Sequence, residues 1–217
     1  RAGGRGEGFL VSPLPVATAR SAAIVGRLGA PWTKIVAWLE RRDWDEGTQL
    51  MIFALGIGAA SALGVVAFYR LIDLAYAFLV TFIGARLDPV ALAFYRPLVT
   101  AVALWVAWAF VRWARLPDGQ TVPDVQLAVA KLISVVPFRP VVIRTLAAIV
   151  PLAGGGSAGS EGPTAVLGSA IGSGTGRALR FQPRRLKILV GCGAAAGISA
   201  AFNAPFAGAF FALEEVL

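Results

Sequence analysis

The chain has 217 residues, of which 57% are hydrophobic and only 15% are charged. Soluble globular domains carry about 25% charged residues, so the composition excludes an ordinary soluble domain and indicates a protein embedded in a lipid bilayer. The formal net charge is +8, yet no basic run is interleaved with aromatic residues. We therefore attribute the charge to the positive-inside bias of membrane proteins and to attraction of anions, and we expect no nucleic-acid partner. Histidine is absent and there is a single cysteine, so we expect no metal site and no intrachain disulfide.

The first 46 residues form a separate basic segment ahead of the more apolar residues 47–217. Arginine and lysine outnumber acidic residues over most of this segment, and residues 17–39 mix them with apolar side chains and tryptophan. Such a mixture is typical of an amphipathic helix at the membrane face, but it also fits a loosely ordered arm. Because basic residues next to a first span stay on the cytoplasmic side, we expect the N-terminus in the cytoplasm.

The first apolar stretch predicts one long membrane helix. Residues 50–69 contain no charge, and this length is enough to cross a bilayer at about 1.5 Å per residue. The apolar character continues to residue 83. We therefore expect a single tilted helix of about 35 residues.

The later apolar stretches are interrupted. Three are short for a full crossing and have glycine or proline at their ends: residues 97–111, 145–160 and 162–176. A fourth, residues 188–213, is broken by Asn203-Ala204-Pro205. Short, interrupted segments are typical of discontinuous helices whose ends meet near the bilayer midplane, where a binding site is expected. The predicted fold class is an all-α membrane protein with tilted and discontinuous transmembrane helices.

Two glycine patterns predict close helix packing. Gly168, Gly172 and Gly176 recur every four residues, and the run from Gly191 to Gly197 is rich in small residues. Small residues on one helix face let two helices approach closely in lipid.

The stretch from Gly154 to Pro163, GGGSAGSEGP, carries one acid in a run of glycine and serine. Glycine permits sharp turns and exposes backbone N–H groups, and proline suits the first turn of a helix. We therefore expect a helix N-terminus here, whose partial positive charge and unpaired N–H groups favour an anion. Glu161 lies at this terminus, so its carboxylate can take the place of the anion or act as a simple capping acid.

Two blocks of sequence resemble a known family. The segment from Gly159 to Pro163, GSEGP, is similar to the GxEGP signature of the ClC chloride channels and proton/chloride exchangers. The block from Gly193 to Gly208, followed by Glu214-Glu215, resembles that family more closely still. The resemblance covers about residues 48–217. It implies the first of the two inverted repeats of the ClC membrane domain, with the second half missing from this chain.

The resemblance implies roles for two acids. Glu161 occupies the position of the external gating glutamate, whose carboxylate competes with the transported anion until protonation releases it. Glu215 occupies the position of the internal proton-transfer glutamate of the exchangers, although the pair Glu214-Glu215 alone is also compatible with a solvated helix end. Around the gate, the resemblance implies anion contacts from Ser160, Gly162 and Pro163.

A third segment, from Gly119 to Pro123 with the sequence GQTVP, is similar to the anion-coordinating GSGIP motif of that family. The resemblance implies anion contacts from Gly119, Gln120 and Thr121. Gln120 stands where the family has serine, and its amide is a donor of longer reach, which leaves the preferred anion open. Without the resemblance, Asp118-Gly119 is also compatible with a simple turn.

The resemblance implies a multi-pass protein of the cell membrane that exchanges chloride or a similar monovalent anion for protons. It implies no cofactor, since chloride itself is the substrate, and a homodimer for the full-length protein. A passive anion channel gated by voltage or pH is the alternative.

An enzyme is a further alternative. Residues 155–159 fit the G-x-S-x-G pattern of serine hydrolases, with Ser157 as the nucleophile. Such a serine needs a base, and because the chain has no histidine, only a lysine such as Lys131 or Lys187 could supply it. We therefore predict that the protein is not an enzyme.

Overall fold

A computed structural model describes residues 46–116, 119, 121–131, 135–179 and 181–217. Within these residues the regular secondary structure is helical and contains no strand. The basic N-terminal segment of the sequence prediction, residues 1–46, lies outside the described residues except for Glu46, at which the first helix begins.

The first helix, α1, spans Glu46–Tyr76 and continues as a π-helical segment over Ala77–Phe82. Its apolar part, Gly47–Phe82, has 36 residues and confirms the predicted long helix. At about 1.5 Å per residue it measures about 54 Å, which exceeds a hydrocarbon core of about 30 Å and requires tilt or projection beyond it. Large apolar side chains on α1, such as Met51 and Leu55, are exposed, as expected of a surface that faces lipid.

The second helix, α2, spans Pro89–Trp113 and corrects the prediction for this stretch. With 25 residues it is long enough to cross a membrane, so the expectation of a short segment over residues 97–111 is wrong. Arg96 and Pro97 marked the expected boundary, but the helix runs through both. Membrane helices tolerate an internal proline because neighbouring groups satisfy the backbone that it frees, and Pro89 in the first turn favours the earlier start.

The remaining helices are shorter, and two of the breaks between them were predicted from the sequence. They are α3 (Val122–Ala130), α4 (Phe138–Ala153), α5 (Glu161–Ala178), α6 (Pro183–Phe202) and α7 (Pro205–Phe211), followed by a π-helical segment over Ala212–Val216. The glycine-rich residues 154–160 separate α4 from α5, and Asn203 with Ala204 separates α6 from α7. Asn203 adopts a left-handed φ of 53°, which asparagine tolerates better than most residues. The predicted breaks at both places are confirmed.

Three helices in the described part of the chain are long and apolar enough to span a membrane: α1 with its π-helical extension, α2 and α6. Together with the helical secondary structure, they confirm the predicted all-α membrane fold. The assignment of this fold as the first of two inverted repeats stays a prediction.

Helices α5 and α6 pack against each other along a glycine seam, formed by Gly168 and Gly172 of α5 with Gly193 and Leu189 of α6. A Cβ atom at Gly168 would stand 2.7 Å from the carbonyl carbon of Gly193, and one at Gly172 would stand 2.8 Å from that of Leu189. Because the residue number falls along α6 as it rises along α5, the two helices are antiparallel. Backbones this close confirm the predicted packing role of the small residues.

A buried apolar core joins α3, α5, α6 and the start of α4 to the last π-helical segment. Its members are Val125, Val129, Val136, Val141, Val166, Leu167, Ala170, Val190, Ala194 and Val216. This core packs α3 and α5 against the segment that carries the acidic pair, through Val216 beside Glu215.

Candidate functional site

The glycine-rich loop before α5 folds back on the end of α4. The N–H of Gly156 donates to the carbonyl oxygen of Pro151 at 2.8 Å. Gly155 has a left-handed φ of 85°, which a side chain would strain. The chain then enters α5 at Glu161, so the helix N-terminus predicted from the sequence is confirmed.

Among the described residues, no side-chain hydrogen bond caps the start of α5. Ser160, at the capping position, would ordinarily accept from an N–H of the first turn. Its hydroxyl instead forms a 2.7 Å hydrogen bond with the hydroxyl of Tyr69 on α1. Pro163, the third residue of the helix, has no N–H to be capped. The N–H groups of Glu161 and Gly162 are therefore left for an acceptor from outside the helix, at the positive end of its dipole, and this geometry suits an anion.

The Glu161 side chain is exposed and folds back over Gly159. A Cβ atom at Gly159 would overlap Oε2 of Glu161 and stand 3.0 Å from its Cδ. In the part of the chain that the structure describes, no hydrogen bond or ion pair engages this carboxylate. Its carboxyl group can therefore move without breaking such a bond.

The N-terminus of α3 already holds an acid. Gly119 has a left-handed φ of 102°, and Thr121 caps the helix. Oδ2 of Asp124 accepts a hydrogen bond from the Thr121 N–H at 2.8 Å and one from its hydroxyl at 2.6 Å. A carboxylate of the chain thus occupies the N–H that an anion would use at Thr121. Gln120, the other predicted anion contact of this segment, lies outside the described residues.

Asp124 was absent from the sequence prediction, although a signal for it exists. Threonine followed three residues later by an acid is the signature of a capping box, and the structure contains that box at Thr121. The sequence therefore carried the information that this helix end is capped from within.

Glu214 and Glu215 lie exposed in the π-helical segment that follows α7. The amide Nε2 of Gln126, on α3, donates a hydrogen bond to Oε2 of Glu215 at 2.9 Å. Within the described residues Glu214 has no comparable partner. The two acids of the pair are therefore not equivalent, and Glu215 is the one that α3 holds.

Gln126 and Tyr69 were not predicted, and no sequence signal points to them. Gln126 contacts a residue 89 positions away, and Tyr69 contacts one 91 positions away. Helical periodicity relates residues three or four positions apart, so it carries no information about such contacts.

The residues that follow Glu215 pack against the middle of α6. The side chain of Leu217 packs over Gly191, which lies midway between the two α6 positions of the glycine seam. Gly191 is therefore level with residue 170 of α5. That residue is about 14 Å along the axis from Glu161, at about 1.5 Å per residue. The Leu217 side chain, two residues after Glu215, thus packs about 14 Å along the α5 axis from Glu161.

Ser157 lies exposed on the glycine-rich loop and has no hydrogen-bond partner among the described residues. The chain has no histidine, so Ser157 lacks the usual base that activates a nucleophilic serine. The described residues also contain no group of three His, Cys, Asp or Glu side chains that could hold a metal ion.

Comparison with known proteins points to one family. The model of the voltage gated chloride channel family matches residues 101–217, more than half of this chain. A chloride channel protein described as ClcB-like, from Ralstonia nicotianae, is 40% identical over 97 residues, which is 43% of this chain and 23% of the relative. The chloride channel protein CLC-e of Arabidopsis thaliana is 44% identical over 75 residues, 35% of this chain and 11% of the relative. The H(+)/Cl(-) exchange transporter ClcA of Citrobacter koseri is 33% identical over 121 residues, 55% of this chain and 26% of the relative.

The chain covers only 11% to 26% of the length of these relatives. The family match confirms the resemblance seen in the sequence, although it begins at residue 101 and leaves α1 and the first half of α2 outside. Members of this family are channels and transporters, in agreement with the prediction that the chain is not an enzyme.

Proposed function

Because this chain belongs to the voltage gated chloride channel family, we propose that the protein moves chloride or a similar monovalent anion across the cell membrane in exchange for protons. The names of the relatives support anion transport, and one of them is named as an H(+)/Cl(-) exchange transporter. The three span-length helices support a multi-pass protein. The proposal includes a cytoplasmic N-terminus, a homodimer for the full-length protein and no cofactor.

The start of α5 is the observation that carries this proposal. Its first N–H groups are uncapped, and the Glu161 carboxylate has no hydrogen-bond or ion-pair partner among the described residues. An ionised carboxylate and a chloride about 4 Å apart repel each other by about 4 kcal/mol at an effective dielectric constant of about 20, which lowers their joint occupancy about a thousandfold. Protonation removes this repulsion and lets the neutral side chain move aside. In this scheme Glu161 is a gate that its own proton opens.

Two helix ends supply the proposed anion contacts. They are Ser160, Gly162 and Pro163 at α5, and Gly119, Gln120 and Thr121 at α3. At α5 the donor is a backbone N–H. Pro163 contributes no donor of its own, and it gives a side-chain cap no N–H to bind at the third helical position. At α3 the anion competes with Asp124 for the Thr121 N–H, so the amide of Gln120 is the additional donor that we propose there.

Glu215 is the proposed internal proton acceptor. The hydrogen bond from Gln126 orients its carboxylate toward α3. Glu161 has no hydrogen-bond partner among the described residues, so in this proposal water or intervening polar groups relay its proton to Glu215. A passive anion channel would use the same gate without this acceptor.

Replacement of Glu161 tests the gate. In liposomes that contain the full-length protein, chloride efflux should rise as the external pH falls. Glu161→Gln carries a permanently neutral side chain of the same size, so its efflux should be high at neutral pH and insensitive to acidification. A Glu161→Gln protein that keeps the pH response of the wild type would remove Glu161 from the gate.

Replacement of Glu215 separates exchange from passive conduction. A chloride gradient should drive proton uptake into liposomes with the wild-type protein, and Glu215→Gln should abolish proton uptake while chloride still moves. Glu214→Gln is the matched control, because Glu214 is the adjacent acid without the contact to α3, and it should keep proton uptake. Undiminished proton uptake in Glu215→Gln would contradict its role as acceptor. Wild-type chloride flux without proton movement would identify a channel.

A further inference from the structure

Gly159 provides the surface on which the Glu161 carboxyl group rests. A Cβ atom at residue 159 would overlap Oε2 of Glu161, and it would stand 3.0 Å from Cδ and 3.6 Å from Oε1. The side chain of the gate thus occupies the volume that a side chain at residue 159 would need. We infer that Gly159 is a positioning residue for the gate. Because it has no side chain, it leaves the space in which the Glu161 carboxylate rests when the gate is closed. This inference rests on the proposed gating role of Glu161.

Other glycines of the same loop have backbone reasons to be glycine, whereas the described part of the chain gives no such reason for Gly159. Gly155 adopts a left-handed φ, and a Cβ atom at Gly156 would stand 2.7 Å from the carbonyl oxygen of Pro151. The φ of Gly159 is not left-handed. Apart from its two chain neighbours, the three described heavy atoms nearest to a Cβ atom there all belong to the Glu161 carboxyl group. Among the described residues, the crowding at this position therefore comes from the gate itself.

A methyl group at residue 159 would therefore move the carboxyl group and not the backbone. The Glu161 side chain is exposed and has no hydrogen-bond or ion-pair partner among the described residues, so rotation about its own bonds is enough to clear the overlap. Once displaced, the ionised carboxylate competes less with an anion at the start of α5. Gly159→Ala should thus open the gate while its titratable acid is still present.

The experiment compares Gly159→Ala with a methyl group placed elsewhere on the same segment. Gly174 lies within α5, and outside its own stretch of helix a Cβ atom there meets no heavy atom of the described residues within 4 Å. In liposomes with the full-length protein, Gly159→Ala should raise chloride efflux at neutral pH toward the level of Glu161→Gln and flatten the pH response. Gly174→Ala should keep the efflux and the pH response of the wild type.

A double variant tests whether Gly159 acts through Glu161. In a Glu161→Ala background there is no carboxyl group to displace, so adding Gly159→Ala should change neither the efflux nor its pH response. An equal effect of Gly159→Ala in both backgrounds would mean that the methyl group acts on the pore directly and would overturn the inference. A Gly159→Ala protein that fails to fold would also overturn it, because only a movable carboxyl group should stand in the way of the methyl group.

Failure of this inference is distinguishable from failure of the proposed function. If Glu161→Gln keeps the wild-type pH response, the gating role itself is wrong. If Glu161→Gln loses the pH response while Gly159→Ala behaves like Gly174→Ala, the gate stands and Gly159 does not position it.

Discussion

The closest backbone approach in the glycine seam yields a prediction about stability. A methyl group at Gly168 would overlap the carbonyl oxygen of Gly193 and stand 2.7 Å from its carbonyl carbon and 3.3 Å from the nitrogen of Ala194. Ordinary contacts between such atoms lie at about 3.5–4.0 Å, so α5 and α6 must separate by about 1 Å to admit it. A gap of about that size forfeits about a quarter to a half of the dispersion energy of each contact. Overpacking costs about 1–3 kcal/mol, and a clash with backbone places the cost toward the upper end of that range. The higher helix propensity of alanine offsets about 1 kcal/mol of this cost. We therefore expect Gly168→Ala to lower the free energy of unfolding by about 1–2 kcal/mol.

The assay is thermal unfolding of the purified full-length protein in detergent, with Gly174→Ala as the matched control on the same helix. A Cβ atom at Gly174 has open space around it in the described part of the chain, and alanine is favoured over glycine in a helix by about 1 kcal/mol. The two alanine variants should therefore shift the melting temperature in opposite directions. If Gly168→Ala melts at or above the wild-type temperature, α5 and α6 are not in the close contact described.

Three further variants address single hydrogen bonds. Tyr69→Phe frees the Ser160 hydroxyl, which can then cap α5 in place of an anion. If the capping hydrogen bond contributes about 0.5–1.5 kcal/mol, chloride affinity measured by calorimetry should fall about 2–10-fold. Unchanged affinity would show that the hydroxyl does not compete with chloride. Gln126→Leu removes the amide donor that orients Glu215, so chloride-driven proton uptake should slow more than chloride flux does. Equal slowing of proton uptake and chloride flux would assign Gln126 a purely structural role. Asp124→Ala removes the capping box of α3 at a cost of about 1 kcal/mol and exposes that helix end to anions. The variant should therefore melt at a lower temperature than the wild type without chloride, and added chloride should stabilise it more than it stabilises the wild type. A chloride effect no larger than in the wild type would argue against an anion at α3.

Local features of the sequence predicted the elements that depend on local physics. The charge-free run in residues 50–69 predicted a helix longer than a bilayer, and α1 has that length. The acid and proline after a glycine-rich run predicted the start of α5 at Glu161, and the break at Asn203 followed from the same kind of signal. The prediction failed at α2, where Pro97 lies inside the helix. A proline destabilises a helix locally because it removes one backbone hydrogen bond. Whether the helix ends there depends on whether neighbouring groups satisfy the freed backbone.

The sequence by itself determined the membrane class, the long first helix and the helix end that bears Glu161, because hydropathy, charge and glycine or proline content act over a few residues. Only the tertiary structure decided that Tyr69 engages Ser160, that Gln126 selects Glu215 over Glu214, and that a carboxyl group rests over Gly159. The first two contacts join residues about 90 positions apart along the chain. The third depends on which way a flexible side chain turns once its loop has folded. Such contacts depend on how helices and loops pack together in three dimensions. The helical periodicity of a sequence carries no information about that packing.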